Sequence, residues 1–173
     1  IQPNNITVDL IAPNNAQVRS ILPKDHQTGD QIDVAPSSKY LASIIPTGYH
    51  YAKADELQTD ETQPTVNPVY SGKEQTVKVY VVGDTVDKNA ANALTVHHYL
   101  KDSADVKVAP DSSIGGRIGQ KVVATLKDAA HAAEGYTLVP NQKDQTATLK
   151  LNQGSQVKFY YTADPQDNIK VNV

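Results

Sequence analysis

Apolar and polar residues alternate with a period of two through most of the chain, the period of strands buried on one face. Ile6-Thr7-Val8-Asp9-Leu10-Ile11 opens the pattern, Pro13-Asn14-Asn15 supplies a turn, and residues 18–22 read as a returning strand. Gln31-Ile32-Asp33-Val34-Ala35 is a further short alternating segment. Pro36-Ser37-Ser38 then offers a helix start with serine as the N-cap. Residues 39–44 are expected as a helix with Tyr40, Leu41, Ile44 and Ile45 on its buried side, ended before Pro46. Gly48-Tyr49-His50-Tyr51 begins another strand, residues 58–68 read as a polar loop, and residues 75–82 close the series as a long strand.

The same order then returns. Ile6-Thr7-Val8-Asp9 matches Leu94-Thr95-Val96-His97, and Gly29-Asp30-Gln31-Ile32 matches Gly119-Gln120-Lys121-Val122. Gly48-Tyr49 matches Gly135-Tyr136, and Val77-Lys78-Val79-Tyr80 matches Val157-Lys158-Phe159-Tyr160. The offsets are 88, 90, 87 and 80, so one large gap suffices, and the 58–68 loop is the expected place for it. In the second half, strands are expected at 94–100, 105–108, 121–125, 136–139, 146–151 and 156–162. An Ala-rich helix is expected at 127–134, with Gly135 as its C′ residue. Residues 167–173 resemble residues 4–10, as if a further copy began there.

The pattern predicts a mostly β chain of the α+β class in two tandem modules, each a sheet covered on one face by a helix. The modules are residues 1–83 and 94–173, joined by a small, polar connector at 84–93. A duplicated β-rich unit points toward an arrayed module that displays surface, and away from a single catalytic cleft.

Composition narrows the setting. The chain has 173 residues, so each module is small and buries only about 60% of its unfolded surface. A net charge of -3 gives no reason to expect nucleic acid or an anionic membrane as partner, and no apolar run is long enough for membrane insertion. There is no cysteine, hence no disulfide framework and no thiolate chemistry. That fits a cytosolic protein or a surface protein of a Gram-positive bacterium. The chain starts at Ile1 without a signal peptide, so it is expected to be a segment of a longer protein whose targeting sequences lie outside it. Asn5-Ile6-Thr7 is a coincidental sequon in a bacterial setting.

Candidate chemistry is sparse. His97 and His98 are adjacent on a strand and point to opposite faces, so they cannot grip one metal. His26, His50 and His131 have no ligand-type spacing. Gly115-Gly116-Arg117-Ile118-Gly119 precedes a strand and lacks the Gly-Lys-Ser/Thr of a phosphate loop, so it reads as a turn. Asp55-Glu56, Asp60-Glu61, Asp84 and Asp87 read as solvated loop charges; calcium stiffening the connector is conceivable, but no calcium-loop pattern supports it and no cofactor is expected. No Ser/His/Asp arrangement stands out, and no enzyme is expected.

Tyrosine dominates the aromatics, with nine Tyr, one Phe and no Trp. Its apolar ring and polar tip suit recognition surfaces. Tyr49, Tyr99, Tyr136 and Tyr160 are expected to pack in sheet or core, whereas Tyr40, Tyr51 and Tyr70 are the better candidates for exposure. Gln31 and Asp33 belong to a short, polar segment expected at a sheet edge, where free backbone groups can receive an incoming strand, with Tyr40 as an aromatic anchor. Binding residues are therefore expected among Gln31, Asp33, Tyr40, Tyr51 and Tyr70.

The second half resembles the mucin-binding (MucBP) domain family of Gram-positive surface adhesins. The residues carrying this are Leu94-Thr95-Val96-His97-His98-Tyr99, Val108-Ala109-Pro110, Gly116 with Gly119, Gly135-Tyr136-Thr137-Leu138 and Val157-Lys158-Phe159-Tyr160-Tyr161. The first half matches more loosely, and the two together resemble one repeat of the Mub-type mucus-binding proteins of lactobacilli. The resemblance implies ubiquitin-like β-grasp units joined in an elongated rod, outside the cell and anchored to the wall through other regions. It implies a non-catalytic role in binding mucin glycoproteins or their glycans. Immunoglobulin binding, or service as a stalk spacer contacting neighbouring repeats, are the rival roles. The family's acidic turn with Gly after the first strand is here Lys101-Asp102-Ser103-Ala104-Asp105, without Gly. The resemblance transfers a role and no site residues.

Overall fold

A computed structural model describes residues 5–166. The match to residues 167–173 lies outside the described residues. The chain divides into two compact units with the boundary between Asp84 and Thr85.

In the first unit, β1 (Ile6–Ala12) turns through a 3-10 turn at Pro13–Asn15 into β2 (Ala16–Ile21). The helix α1 (Lys39–Ile44), β3 (Tyr49–Tyr51) and β4 (Gln75–Gly83) follow. The sheet order is β2-β1-β4-β3, with β1 and β4 parallel and the outer pairs antiparallel. Ser38 caps α1 by accepting a hydrogen bond from the Leu41 N–H at 3.0 Å. Leu41 and Ile44 pack into a core with Ile6, Val8, Leu10, Val79 and Val81, the inward face of the central parallel pair.

The second unit begins with β5 (Thr85–Val86) and continues through β6 (Leu94–Leu100), β7 (Ser112–Ile114), β8 (Gly116–Arg117) and β9 (Lys121–Ala124). The helix α2 (Leu126–Ala130), β10 (Tyr136–Leu138), β11 (Gln145–Thr148) and β12 (Ser155–Ala163) complete it. Its main sheet runs β7-β6-β12-β10, the same order around the same kind of central parallel pair. β9 pairs with β11, and β5 with β8. Of residues 84–93, read from sequence as a connector, Asp84 ends the first unit and residues 85–93 contribute a strand as well as the buried Val86 and Ala93 to the second.

The registers repeat residue for residue. Ile6 opposite Gln75 corresponds to Leu94 opposite Ser155, and Ile11 opposite Tyr80 to Tyr99 opposite Tyr160. Tyr49 opposite Gly83 corresponds to Tyr136 opposite Ala163. Gly29 N–H donates to Tyr70 O at 2.8 Å and Tyr70 N–H to Asp30 O at 2.9 Å; Gly119, Leu149 and Gln120 repeat both bonds at the same lengths. Loop side chains repeat as well. Gln63 Nε2 donates to the Tyr80 and Ala52 carbonyls at 2.7 and 3.0 Å while its Oε1 accepts from Tyr80 N–H at 2.8 Å. Gln142 does the same for Tyr160 and Val139, each bond 2.8 Å. A primary amide presents a donor and an acceptor side by side, so each glutamine pairs with its strand as a neighbouring backbone would.

These correspondences relocate the length differences. Ala52 matches Val139 and Gln63 matches Gln142, so the extra residues of the first unit lie at 53–62 rather than 58–68. That insert holds a 3-10 turn at Ala54–Glu56. Three other expectations change. Residues 105–108 form no regular strand, although Lys107 bridges Tyr99. Helix α2 stops at Ala130 instead of 134, since a helix this short gains little from alanine against its nucleation cost. Gly135 does have φ 82°, but in a turn closed by the Tyr136 N–H donating to Ala133 O at 3.2 Å, not as a helix C′ residue.

Candidate functional site

The expected binding residues do not converge. Gln31 forms an isolated bridge with Val69, and the segment around it is no regular strand. Ile32 N–H donates to Pro68 O at 3.0 Å, Val34 N–H to Asn67 Oδ1 at 2.9 Å and Ala35 N–H to Asp33 Oδ1 at 3.0 Å. Ser38 Oγ donates to Asp33 O at 2.8 Å, so the carbonyl that an incoming strand would use is already engaged. Tyr40 and Tyr51 are half-buried against the core. Tyr70 is 2% exposed and belongs to the core itself, stacked on His26 at 4.6 Å, which overturns the expectation that it faces solvent. A lone tyrosine in a polar stretch is here the plug of the loop that carries it.

The histidines divide by face. His98 is 2% exposed. Tyr161 Oη donates to Ala129 O at 2.7 Å and so accepts from His98 Nδ1 at 2.8 Å, leaving His98 Nε2 to accept from Ser112 Oγ at 2.8 Å. The ring is therefore the neutral Nδ1–H tautomer. Burial holds its pKa below the ordinary histidine value, Asp111 works against that, and His97 adds to it. His97 lies on the outer face, with Nδ1 at 2.9 Å from Asp111 and Nε2 at 2.8 Å from Gln156. In the first unit, His50 sits between Asp84 at 2.7 Å and Glu56 at 3.0 Å. Burial pulls its pKa down, but the hydrogen bonds and charges of the two carboxylates outweigh burial and raise it. Among the described residues, no group of three or more His, Cys, Asp or Glu is arranged to hold a metal ion.

An open cleft of about 450 Å³ lies in the second unit, within the size range of small-ligand sites. It forms because one hairpin tip is longer. In the first unit Ala12 pairs with Ala16 across the 3-10 turn. In the second, Leu100 N–H donates to Val106 O at 2.8 Å across residues 101–105, so the offset grows from 88 at Leu100 to 90 at Val106. Without glycine this tip places Asp102, Ala104 and Asp105 at φ of 57°, 38° and 62°. One wall is Leu100 and this tip; the other is Val139, Gln142 and Tyr160.

Tyr160 is 38% exposed although it was expected to pack. The signal was present in the sequence. Phe159 and Tyr161 face the core, and strand alternation sends Tyr160 to the other face. Tyr99, on that same face of β6, lies 6.4 Å from Tyr160 and stacks on His97 at 5.2 Å, while Lys158 Nζ stands 5.6 Å above its ring. Lys158 also lies 3.8 Å from Asp105. Tyr99 is thereby covered, and Tyr160 is the ring left open to the cleft. Gln142 holds the Tyr160 backbone on both its N–H and its C=O, which fixes where the ring projects.

No family model matches the chain, and no curated protein matches it. Among solved structures it is similar to a structure titled Mub-RV, at 15% identity and TM-score 0.30, with 94% of this chain and 100% of that one covered. The type 2 repeat of the mucus binding protein MUB from Lactobacillus reuteri gives 16% identity and TM-score 0.32 over the same shares. A pair of streptococcal high identity repeat (SHIRT) domains from a cell surface protein gives 9% and 0.27, covering 95% of this chain and 100% of that one. Likenesses this distant transfer no residue and no partner.

Proposed function

We propose that the chain is a non-catalytic repeat of a cell-surface adhesin, built of two β-grasp-like modules, that binds mucus glycoproteins through their glycans. The observation that carries this is the cleft beside Tyr160. A fixed, partly exposed aromatic ring next to carboxylates and a hydroxyl is the chemistry that holds a sugar, whose C–H face stacks on the ring while its hydroxyls donate to the oxygens. The partner class follows from the resemblance of the second half to MucBP domains. The central parallel pair in each sheet, with the helix against its inward face in the first unit, supports the β-grasp reading.

A second reading rests on β2. Among the described residues this strand ends its sheet and pairs with β1 alone, and it carries mostly exposed side chains, so it can receive an extended segment of a host protein such as an immunoglobulin. Binding of the chain to native mucin, deglycosylated mucin and an immunoglobulin panel separates the readings. Loss on deglycosylation supports the glycan site. Immunoglobulin binding that protects the β2 amides from hydrogen exchange supports the edge. Binding to none of them leaves a spacer.

A further inference from the structure

We infer that the cleft takes an uncharged pyranose of a mucin-type glycan and disfavours the acidic termini, the sialylated or sulfated ones. This rests on the glycan-binding reading and adds the charge of the ligand.

The polar groups of the cleft are weighted toward acceptors. Asp102 and Asp105 supply carboxylates, and Ser103, whose hydroxyl donates to Lys101 O at 3.1 Å, keeps its lone pairs. Sugar hydroxyls can donate to this set, whereas a carboxylate or sulfate would be brought against Asp102 and against Asp105, whose charge Lys158 offsets in part at 3.8 Å. Nothing in the lining offsets that strongly. Recognition of a carboxylate or sulfate is typically built on the planar fork of arginine, and the lining has none. Lys158, on the outer face beside the cleft residue Asp105, already lies between Asp105 and the Tyr99 ring. Lys101 is the one cation of the lining, exposed on the tip and set against the two aspartates.

The apolar groups agree. Leu100, Val139 and Ala104 line the same cleft as Tyr160, and Val139 lies beside it just past the end of β10, its N–H donating to the Tyr160 carbonyl at 2.9 Å. Gln142 adds no ligand contact, because both ends of its amide are bonded to backbone.

The test measures binding of the chain, and of its Tyr160→Ala, Tyr160→Phe and Asp102→Lys variants, to mucin left native, treated with sialidase and desulfated, or fully O-deglycosylated. N-acetyllactosamine and its sialylated form serve as soluble competitors. Sialidase and desulfation are expected to leave binding unchanged or stronger. N-acetyllactosamine is expected to compete at least tenfold better than its sialylated form, and Asp102→Lys to narrow or reverse that preference. Tyr160→Phe is expected to keep binding and thermal stability, and Tyr160→Ala to lose binding while the chain stays folded with a melt lowered by the lost packing on Tyr99. Loss of binding after sialidase or desulfation, with Tyr160→Ala still inactive, overturns the charge inference and leaves the glycan site standing. Binding that survives full deglycosylation or Tyr160→Ala, or no binding to native mucin, overturns both.

Discussion

Tyr161 Oη lies 2.8 Å from His98 Nδ1, at the positions where the first unit carries Val81 and Leu10. One copy of the duplicated core is aliphatic there and the other holds a polar chain running inward from the exposed Ser112 through the buried His98 and Tyr161 to the Ala129 carbonyl. A buried polar pair is tolerable only when every member is bonded, and here each is.

Tyr161→Phe should therefore destabilise the second unit by about 1–3 kcal/mol, because it strands the buried His98 Nδ1–H while removing little apolar contact; the Ala129 carbonyl keeps the Ala132 N–H at 3.2 Å. Urea unfolding read by hydrogen exchange in β12 measures it. An unchanged midpoint would show that the hydrogen-bond chain adds nothing.

The two units should respond to pH with opposite signs. His50 is raised in the folded state, so its contribution is full below about pH 6.5, the unfolded value, and fades as pH rises through the folded value. His98 is lowered, so its contribution is full above about pH 6.5 and fades as pH falls toward its folded value. Amide exchange followed from pH 5 to 8 should show β3 loosening toward alkaline pH and β6 toward acid. His50→Gln should flatten the first response alone. Parallel trends in both units would contradict this.

Ala104→Gly should stabilise the second unit by about 0.5–1 kcal/mol. Alanine at φ 38° carries left-handed strain of about 1–2 kcal/mol, and the added freedom of the unfolded glycine offsets only part of the relief. A thermal melt that shifts downward would refute the strain argument.

Gly135→Val and Gly115→Ala should both destabilise, for different reasons. A Cβ on Gly135 meets nothing within 4 Å, so its cost of about 1 kcal/mol or more comes from φ 82° alone. A Cβ on Gly115 would press on the Val86 carbonyl oxygen and come within 2.8 Å of Lys88 N, and backbone cannot swing aside. Gly115→Ala should cost about 1–3 kcal/mol and loosen the β5–β8 pair, visible as faster exchange at Val86. Gly135→Val should leave that amide unaffected.

How far the sequence could be read follows from what kind of signal each feature left. The matched motifs are apolar strand residues such as Val8 and Val77, and Val96 and Val157, whose alternation marks the inward face, so pattern alone carried the strands and their repetition; the sheet order and register came from the structure. Gln63 and Gln142 are single polar residues in loops, and only their bonds reveal the equivalence that moves the insert to 53–62. The cleft was illegible for a similar reason. Lys101-Asp102-Ser103-Ala104-Asp105 could be seen to lack glycine, but the pair of extra residues that opens the tip is spread over an alternating background. Tyr70 was misplaced because its neighbours are polar, and burial in a loop is decided by contacts far along the chain.

In each unit the first and last strands of the main sheet lie side by side as its central pair, pointing the same way: β1 beside β4, β6 beside β12. Tension applied at the start of the one and the end of the other slides them lengthwise, so their hydrogen bonds share the load together instead of parting one after another. Resistance to such pulling is governed by the unfolding rate rather than by equilibrium stability. Either unit is geometrically suited to stand firm under shear.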